Sequence, residues 1–232
     1  MNDKGYTNPQ LLISAEELMN KLDDGSICLV DVRPTHEYVE GHIPGAIHLD
    51  LFAISLSDTS EQVFNSFMWT IAYLFKDRGI DPTKTIVWYE NESGVKAARG
   101  FWFCEYLGHE DVRVLDGGLS AWSAAGGEVS TEAVVPEEVA QFSTNSKVDA
   151  HMDAETIHGL LDAGDFAVLD TRAAAEHYGD VARSARGGAI PGSVHIEWLN
   201  NLDENGMFKP AAELRTLYES AGITPEKRVM SY

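Results

Sequence analysis

The sequence predicts an α/β protein made of two similar domains in tandem, each a mostly parallel sheet flanked by helices. The first observation is an internal repeat: the stretch 28–50 returns at 167–198, and the stretch 79–90 returns at 222–232. The second is that strand patterns alternate with helix patterns in both copies, which is typical of parallel sheets. So long a period indicates two domains rather than a solenoid, whose units repeat every 20–50 residues or so.

The first copy contains the more complete set of elements. Ser14 and Glu17 form a capping-box pattern that predicts the start of a helix, and this helix ends before Gly25. The apolar and partly β-branched run 27–32 predicts a strand that is buried on both faces. The same patterns predict the elements that follow: a strand over 46–49, a helix over 63–75, a strand over 85–89, a helix over 95–107 and a strand over 112–115.

The second copy repeats part of this order. It predicts a helix over 153–161, a strand over 166–169, a turn at 190–192, a helix over 211–220 and a strand over 228–232. Counterparts of the first copy's 90–127 do not follow. We therefore expect an incomplete second domain, whose missing segment is supplied by a continuation of the chain or by a second chain. The predicted domains are 8–130 and 148–232, joined by a linker over 131–147.

The charge balance restricts the partners. The 232 residues include 17 basic and 37 acidic side chains, which gives a formal net charge of −20. Such a charge repels phosphate backbones and anionic lipid, so we expect neither nucleic acid nor a membrane as a partner. No run approaches the ~18 apolar residues that a membrane span requires. These features predict a cytoplasmic protein.

Cys28 and Cys104 are the two cysteines of the sequence. Each lies in an apolar or aromatic run, where a thiol is usually an inert packing residue. Their spacing fits no metal or dithiol motif. We expect no metal and no other cofactor.

Several motifs together resemble the rhodanese family. They are Asp-Val-Arg at 31–33, Gly-His-Ile-Pro-Gly-Ala at 41–46, Trp-Tyr-Glu at 88–90 and Gly-His-Glu-Asp-Val-Arg-Val-Leu-Asp-Gly-Gly at 108–118. The tandem arrangement is similar to the two-domain sulfurtransferases of that family, which use thiosulfate or 3-mercaptopyruvate. The resemblance covers almost the whole chain and implies two rhodanese-like domains.

The resemblance implies a cysteine that takes a sulfane sulfur from a donor and passes it, as a persulfide, to cyanide or a thiol. In the family this cysteine lies in a loop between a strand and a helix N-terminus, which favours a thiolate. Glu90 occupies this position in the first copy, so we expect that domain to be catalytically silent. In the second copy the position is 233, directly after Tyr232, and we expect a cysteine there.

Three residues are candidates for binding the anionic donor. Asp170 and Arg172 follow a buried strand, where open α/β sheets place their ligands. An ion pair that fixes the next loop is an equal alternative, because Asp31 and Arg33 recur in the silent copy. Arg186 lies in an insertion that the first copy lacks, and its guanidinium could bind the donor by forked hydrogen bonds.

Glu176 bears on the choice of donor. The resemblance implies an arginine near this place in the mercaptopyruvate branch, so the glutamate favours thiosulfate. A mercaptopyruvate sulfurtransferase and a noncatalytic rhodanese-like binding or sulfur-sensing module remain alternatives. A phosphatase of the related cysteine-loop type would need a longer loop that ends in an arginine.

Overall fold

The computed structural model describes residues 4–52, 54–56, 58–142 and 147–232, and these divide into two compact units. The described residues of the first unit are 7–151 and 204–208, apart from those gaps. The second unit consists of 4–6, 152–203 and 209–232. Among the described helices, none combines the length and the apolar character needed to cross a membrane.

The first unit contains a parallel sheet whose described strands follow the order β1-β5-β4-β2-β3. These strands are β1 (Leu12–Ile13), β2 (Ile27–Asp31), β3 (Ile47–His48), β4 (Thr85–Tyr89) and β5 (Val112–Leu115). The helices are α1 (Ala15–Lys21), α2 (Thr35–Glu40), α3 (Glu61–Asp77), α4 (Val95–Tyr106) and α5 (Gly118–Ala124).

Burial on both faces explains why β2 and β4 form the centre of this sheet. Val30 pairs with Trp88, and both side chains are fully buried. One face packs against α3, whose Phe64, Met68 and Phe75 point inward at helical spacing. The other face packs against α1 and α5. Helix α1 begins at the predicted cap, because the Ser14 hydroxyl accepts the Glu17 N–H at 3.2 Å.

The chain that follows α5 continues along the first unit. Ser130 pairs with His42 in an antiparallel bridge, and Phe142 is buried with its ring 5.4 Å from that of Phe75. Part of the predicted linker 131–147 therefore packs against the core of this unit. Residues 143–146 of that linker lie outside the described residues, and the domain boundaries stay predictions.

The second unit contains the parallel strands β6 (Phe166–Asp170), β7 (Val194–His195) and β8 (Arg228–Ser231), in the order β7-β6-β8. Its helices are α6 (Ala154–Leu160), α7 (Ala174–His177) and α8 (Ala211–Ser220). The order reproduces that of β3, β2 and β4. One difference is burial: Val229 of β8 is 43% exposed, whereas its counterpart Ile86 is fully buried beside β5.

Candidate functional site

A buried ion pair closes the carboxyl end of β2. Arg33 donates from Nη2 to the Asp31 carboxylate at 2.7 Å and to the Gly41 carbonyl at 2.6 Å. His48 Nε2 contacts the Arg33 carbonyl at 2.9 Å. This pair fixes the chain that leaves the strand, because both of its side chains are buried.

The loop between β4 and α4 contains the side-chain carboxyl group of Glu90, which is hydrogen-bonded to α4. Oε1 of Glu90 accepts the N–H groups of Lys96 at 2.8 Å and Ala97 at 3.0 Å, in the first turn of α4. A Cβ at Gly94 would lie 2.6 Å from the same oxygen, so glycine is needed for this close approach. Burial raises the pKa of Glu90, and the two N–H donors oppose that shift.

Helix α5 fixes the main chain of this loop. The Glu90 carbonyl accepts the Leu119 N–H at 2.8 Å, and the Asn91 carbonyl accepts the Ser120 N–H at 3.0 Å. Gly118 has a φ of +56°, and a Cβ there would lie 2.3 Å from the Glu90 carbonyl oxygen. Two sets of hydrogen bonds therefore fix the loop. The Glu90 carboxylate accepts N–H groups of α4, and the main-chain carbonyls of the loop accept N–H groups at the N-terminus of α5.

The segment 204–208 of the first unit also contacts this loop. The Ser93 N–H donates to the Gly206 carbonyl at 2.8 Å, and the Phe208 N–H donates to the Asp116 carboxylate at 2.8 Å. The Ser93 hydroxyl in turn donates to Asp116 at 3.1 Å. These contacts fix the loop of the first copy against the segment 204–208.

The second unit repeats the ion pair at the carboxyl end of β6. Arg172 donates to both Asp170 oxygens, at 2.9 Å from Nε and 2.6 Å from Nη2, and to the Gly188 carbonyl at 2.9 Å. His195 Nε2 contacts the Arg172 carbonyl at 2.9 Å. The geometry matches the first copy, but the Arg172 side chain is 30% exposed whereas that of Arg33 is 5% exposed.

Tyr232 is fixed at the end of β8 in the same way as Tyr89 at the end of β4. The Tyr232 hydroxyl accepts the Ile190 N–H at 2.9 Å, as the Tyr89 hydroxyl accepts the Ile43 N–H at 3.0 Å. Its carbonyl accepts the N–H and the hydroxyl of Thr171 at 2.9 and 2.8 Å. Tyr232 therefore occupies the place in the second unit that Tyr89, the residue before Glu90, occupies in the first.

The structure places the three predicted site residues differently. Asp170 and Arg172 lie together as the ion pair, with Asp170 fully buried. Arg186 lies on the exposed inserted loop, where its carbonyl accepts the Ser184 hydroxyl at 2.9 Å. Within the described parts of the chain, no ion pair of its guanidinium is recorded. A substrate role for each of the three stays a prediction.

Glu176 is neutralised by a neighbour on the inserted loop. Arg183 donates from Nε to Glu176 at 2.8 Å, with the glutamate side chain 12% exposed and the arginine 76% exposed. The carboxylate therefore lies on the protein side of the pair. An arginine paired in this way is less available to an anionic donor than Arg186, for which the described residues show no ion pair.

Sequence reasoning missed His177. Its Nδ1 lies 2.9 Å from Oδ2 of Asp170, and its ring stacks on His195 at 4.4 Å between centroids. Burial alone would raise the pKa of Asp170, but the hydrogen bonds from Arg172, His177 and Tyr232 outweigh it and hold that pKa well below its usual range. The sequence could have indicated it through a difference between the copies, because the position of His177 is occupied by Tyr38 in the first copy.

The two cysteines lie away from these loops and inside the core of the first unit. Both are buried and free. Burial raises the pKa of Cys28 to about 11 and raises that of Cys104 as well. Burial and a raised pKa both disfavour the thiolate that nucleophilic attack requires, so the proposed chemistry is not assigned to either cysteine.

These two parallel sheets, each with an Asp-x-Arg ion pair at the carboxyl end of a buried strand, define an α/β protein whose two units share one strand order. The model of the rhodanese-like domain matches residues 14–125. The sulfur carrier protein TtuD of Thermus thermophilus is 31% identical over 98% of this chain and 84% of its own length. A thiosulfate sulfurtransferase of Azotobacter vinelandii is 30% identical over 98% of this chain and 83% of its own. The chain belongs to the rhodanese family.

Solved structures show the same fold. The 3-mercaptopyruvate sulfurtransferase SseA of Escherichia coli superposes with a TM-score of 0.82 at 25% identity, covering 95% of this chain and 87% of SseA. The anaerobic ergothioneine biosynthesis enzyme of Chlorobium limicola gives a TM-score of 0.81 at 23% identity. That superposition covers 96% of this chain but only 60% of the enzyme, and the likeness concerns the fold alone.

Proposed function

We propose that the protein is a sulfurtransferase that moves a sulfane sulfur from thiosulfate to cyanide or a thiol acceptor. A cysteine at position 233, directly after Tyr232, carries the sulfur as a persulfide. The names of the relatives support this class of reaction, since they include thiosulfate sulfurtransferases at about 30% identity along the chain. The first copy is a structural partner without a nucleophile.

The carboxylate of Glu90 is the observation that carries this proposal. It occupies the loop position after Tyr89 and accepts two N–H groups at the start of α4. The same loop position in the second copy follows Tyr232, which the same hydrogen bonds hold in place. N–H groups and a helix dipole arranged in this way lower the pKa of a thiol and hold a persulfide anion.

The chemistry balances without an external oxidant. In the first step the thiolate attacks the sulfane sulfur of thiosulfate, the sulfur–sulfur bond breaks, and sulfite leaves with the electron pair. In the second step cyanide attacks the outer sulfur of the persulfide, thiocyanate leaves, and the thiolate is restored. Each step needs an anion to be held beside another anion, which the N–H groups of such a loop favour.

Glu176 supports thiosulfate over 3-mercaptopyruvate. It stands where the mercaptopyruvate branch has an arginine and is paired with Arg183, so this position offers no cation of its own to the carboxylate of 3-mercaptopyruvate. Arg186, exposed on the same inserted loop, is the proposed donor-binding cation. Arg172 and Asp170 complete the proposed site. The likeness to SseA supports the second candidate, a 3-mercaptopyruvate sulfurtransferase. The ratio of kcat/KM for the two donors distinguishes them.

The exposed edge of β8 supports the proposal that a further strand and helix complete the second domain. In the first copy β5 pairs with the corresponding edge of β4. Val229 on β8 is 43% exposed, whereas Ile86, at the equivalent position of β4, is fully buried. The covering segment is supplied by a continuation of the chain or by a second chain.

The test is thiocyanate release from thiosulfate and cyanide by the full-length protein. We expect turnover that a serine at position 233 abolishes. Cys28→Ser and Cys104→Ser are the matched controls, and they should retain kcat because both thiols are buried. Absence of turnover with both donors, or a residue other than cysteine at 233, would favour the noncatalytic binding or sulfur-sensing module.

A further inference from the structure

His177 distinguishes the polar cluster of the second copy from that of the first. The equivalent residue, Tyr38, directs its hydroxyl away from the ion pair and donates to the Ala46 carbonyl at 2.9 Å. His177 instead places Nδ1 2.9 Å from Oδ2 of Asp170. The silent copy thus has no counterpart of this contact at Tyr38, and the contact occurs in the copy to which we assign the nucleophile.

The Asp170 carboxylate connects His177 to the end of β8. Oδ2 receives Nη2 of Arg172 at 2.6 Å, Nδ1 of His177 at 2.9 Å and the hydroxyl of Tyr232 at 3.0 Å. The guanidinium also lies over the Tyr232 ring, 4.7 Å from its centroid. One buried oxygen therefore orients three side chains, and a change in any of its donors alters the hydrogen bond of the others.

The partners also fix which nitrogen of each imidazole carries a hydrogen. Nδ1 of His177 must donate, because the carboxylate of Asp170 accepts. Nε2 of His195 must donate, because its partner is the Arg172 carbonyl. The two rings stack nearly parallel, at 16°, so His177 is held in plane by contacts on its face as well as its edge.

We propose that His177 is a positioning residue of the second copy's site. It fixes the Asp170 carboxylate that receives the Tyr232 hydroxyl, and so sets the direction in which the main chain enters the loop after Tyr232. The inference rests on the proposed function for its catalytic consequence, because that loop carries the proposed cysteine. It needs no contact between His177 and the sulfur donor.

Two substitutions separate the hydrogen bond from the ring. His177→Phe keeps a flat ring against His195 and removes the donor. His177→Asn loses the ring but keeps an N–H donor close to the place of Nδ1. In the full-length protein, we expect His177→Phe to lower kcat and the rate of iodoacetamide alkylation at position 233 about tenfold, because a hydrogen bond to a charged group is lost. His177→Asn should stay within about threefold of the wild type.

The KM for thiosulfate should not change in either variant, because His177 does not contact the donor in this proposal. Tyr232→Phe should lower the alkylation rate by a similar factor, and its effect should not add to that of His177→Phe, since both act through Asp170. A thermal midpoint that stays above the assay temperature in every variant excludes loss of the folded state as the cause. Wild-type kcat and alkylation in His177→Phe, or an equal loss in His177→Asn, would overturn the proposal.

A readout without the cysteine separates this inference from the proposed function. The Ile190 N–H donates to the Tyr232 hydroxyl, so its hydrogen exchange reports the position of that hydroxyl. We expect His177→Phe to accelerate the exchange of this amide about tenfold and His177→Asn to leave it unchanged. Unchanged exchange in His177→Phe would overturn the positioning role. Absence of turnover and of alkylation in the wild type would instead overturn the proposed function.

Discussion

The clearest energetic test concerns the anion that the first copy holds in its loop. Both N–H groups of Lys96 and Ala97 donate to the same oxygen of Glu90. Glu90→Gln keeps an oxygen in that place and removes the charge, whereas Glu90→Ala removes the acceptor of both N–H groups. The comparison of the two variants therefore separates the hydrogen bonds from the charge.

The magnitude follows from the two N–H groups. An unsatisfied buried donor costs about 1–3 kcal/mol. Glu90 is half-buried, so water reaches part of the site and the lower end applies. Glu90→Ala should therefore destabilise the first unit by about 2 kcal/mol, which corresponds to about 4–8 °C in Tm for a unit of this size.

The charge acts in the opposite direction. Burial raises the pKa of Glu90 above its ordinary value near 4.5, so the folded state holds the proton more tightly than the unfolded state. The resulting stability is fully present below the unfolded pKa and is lost as the pH rises through the folded pKa. Glu90→Gln should therefore equal the wild type at pH 4 and be at least as stable at pH 7.5.

Urea unfolding followed by tryptophan fluorescence measures these differences. Trp69, Trp88, Trp102 and Trp122 lie in the first unit and Trp198 in the second, so Trp198→Phe as a common background confines the signal to the first unit. Equal urea midpoints for Glu90→Ala and Glu90→Gln would refute the contribution of the hydrogen bonds between the Glu90 side chain and α4. A Gln variant clearly less stable than wild type at pH 7.5 would refute the account of the charge.

Three further outcomes follow from the contacts. Asp170→Asn should be less stable than the wild type at neutral pH, and the difference should shrink as the pH falls below the usual aspartate range, because the lowered pKa of Asp170 contributes stability only while the group is ionised; a difference that is constant between pH 7 and pH 2 in urea unfolding would contradict this. Tyr89→Phe leaves the buried Ile43 N–H without its acceptor and should cost about 1–3 kcal/mol in the same assay, and no loss would show that this N–H finds another partner. Cys28 and Cys104 should not react with a thiol reagent in the native protein and should both react in urea, and rapid native labelling would contradict their burial.

The long, strongly patterned elements were predictable from the sequence. The apolar runs that form β2, β4 and β6 and the capping box of α1 all appear where the residues indicate. The short helices α2 and α7 and the two-residue strands β1 and β7 were not predicted. They are too short for a periodicity of their own, and the packing of neighbouring elements determines them.

The candidate site was predictable where local sequence determines it. Asp170 and Arg172 are two positions apart at a strand end, and their ion pair follows from that spacing. The role of Tyr232 as an anchor was not predicted, because it depends on Ile190 and Asp170, which only the fold brings together. The insertion between the repeats also obscured the correspondence of these contacts with those of the first copy.

The contact of 204–208 with the loop after β4 was not visible in the sequence either. It joins main-chain groups, such as the Ser93 N–H and the Gly206 carbonyl, that leave no signature in residue type. The catalytic silence of the first copy stays a prediction that rests on Glu90. The structure adds that the Glu90 carboxylate occupies the N–H groups at the start of α4, and that α5 and the segment 204–208 are hydrogen-bonded to this loop.

The mass of the peptide that contains position 233 tests the central claim most directly. The full-length protein is incubated with thiosulfate, freed of excess donor and digested without reductant. We predict that this peptide gains the mass of one sulfur atom, and that cyanide removes the gain and releases an equal amount of thiocyanate. No gain at this peptide, or a gain confined to the peptides of Cys28 or Cys104, would contradict the assignment of the sulfur carrier to the loop after Tyr232.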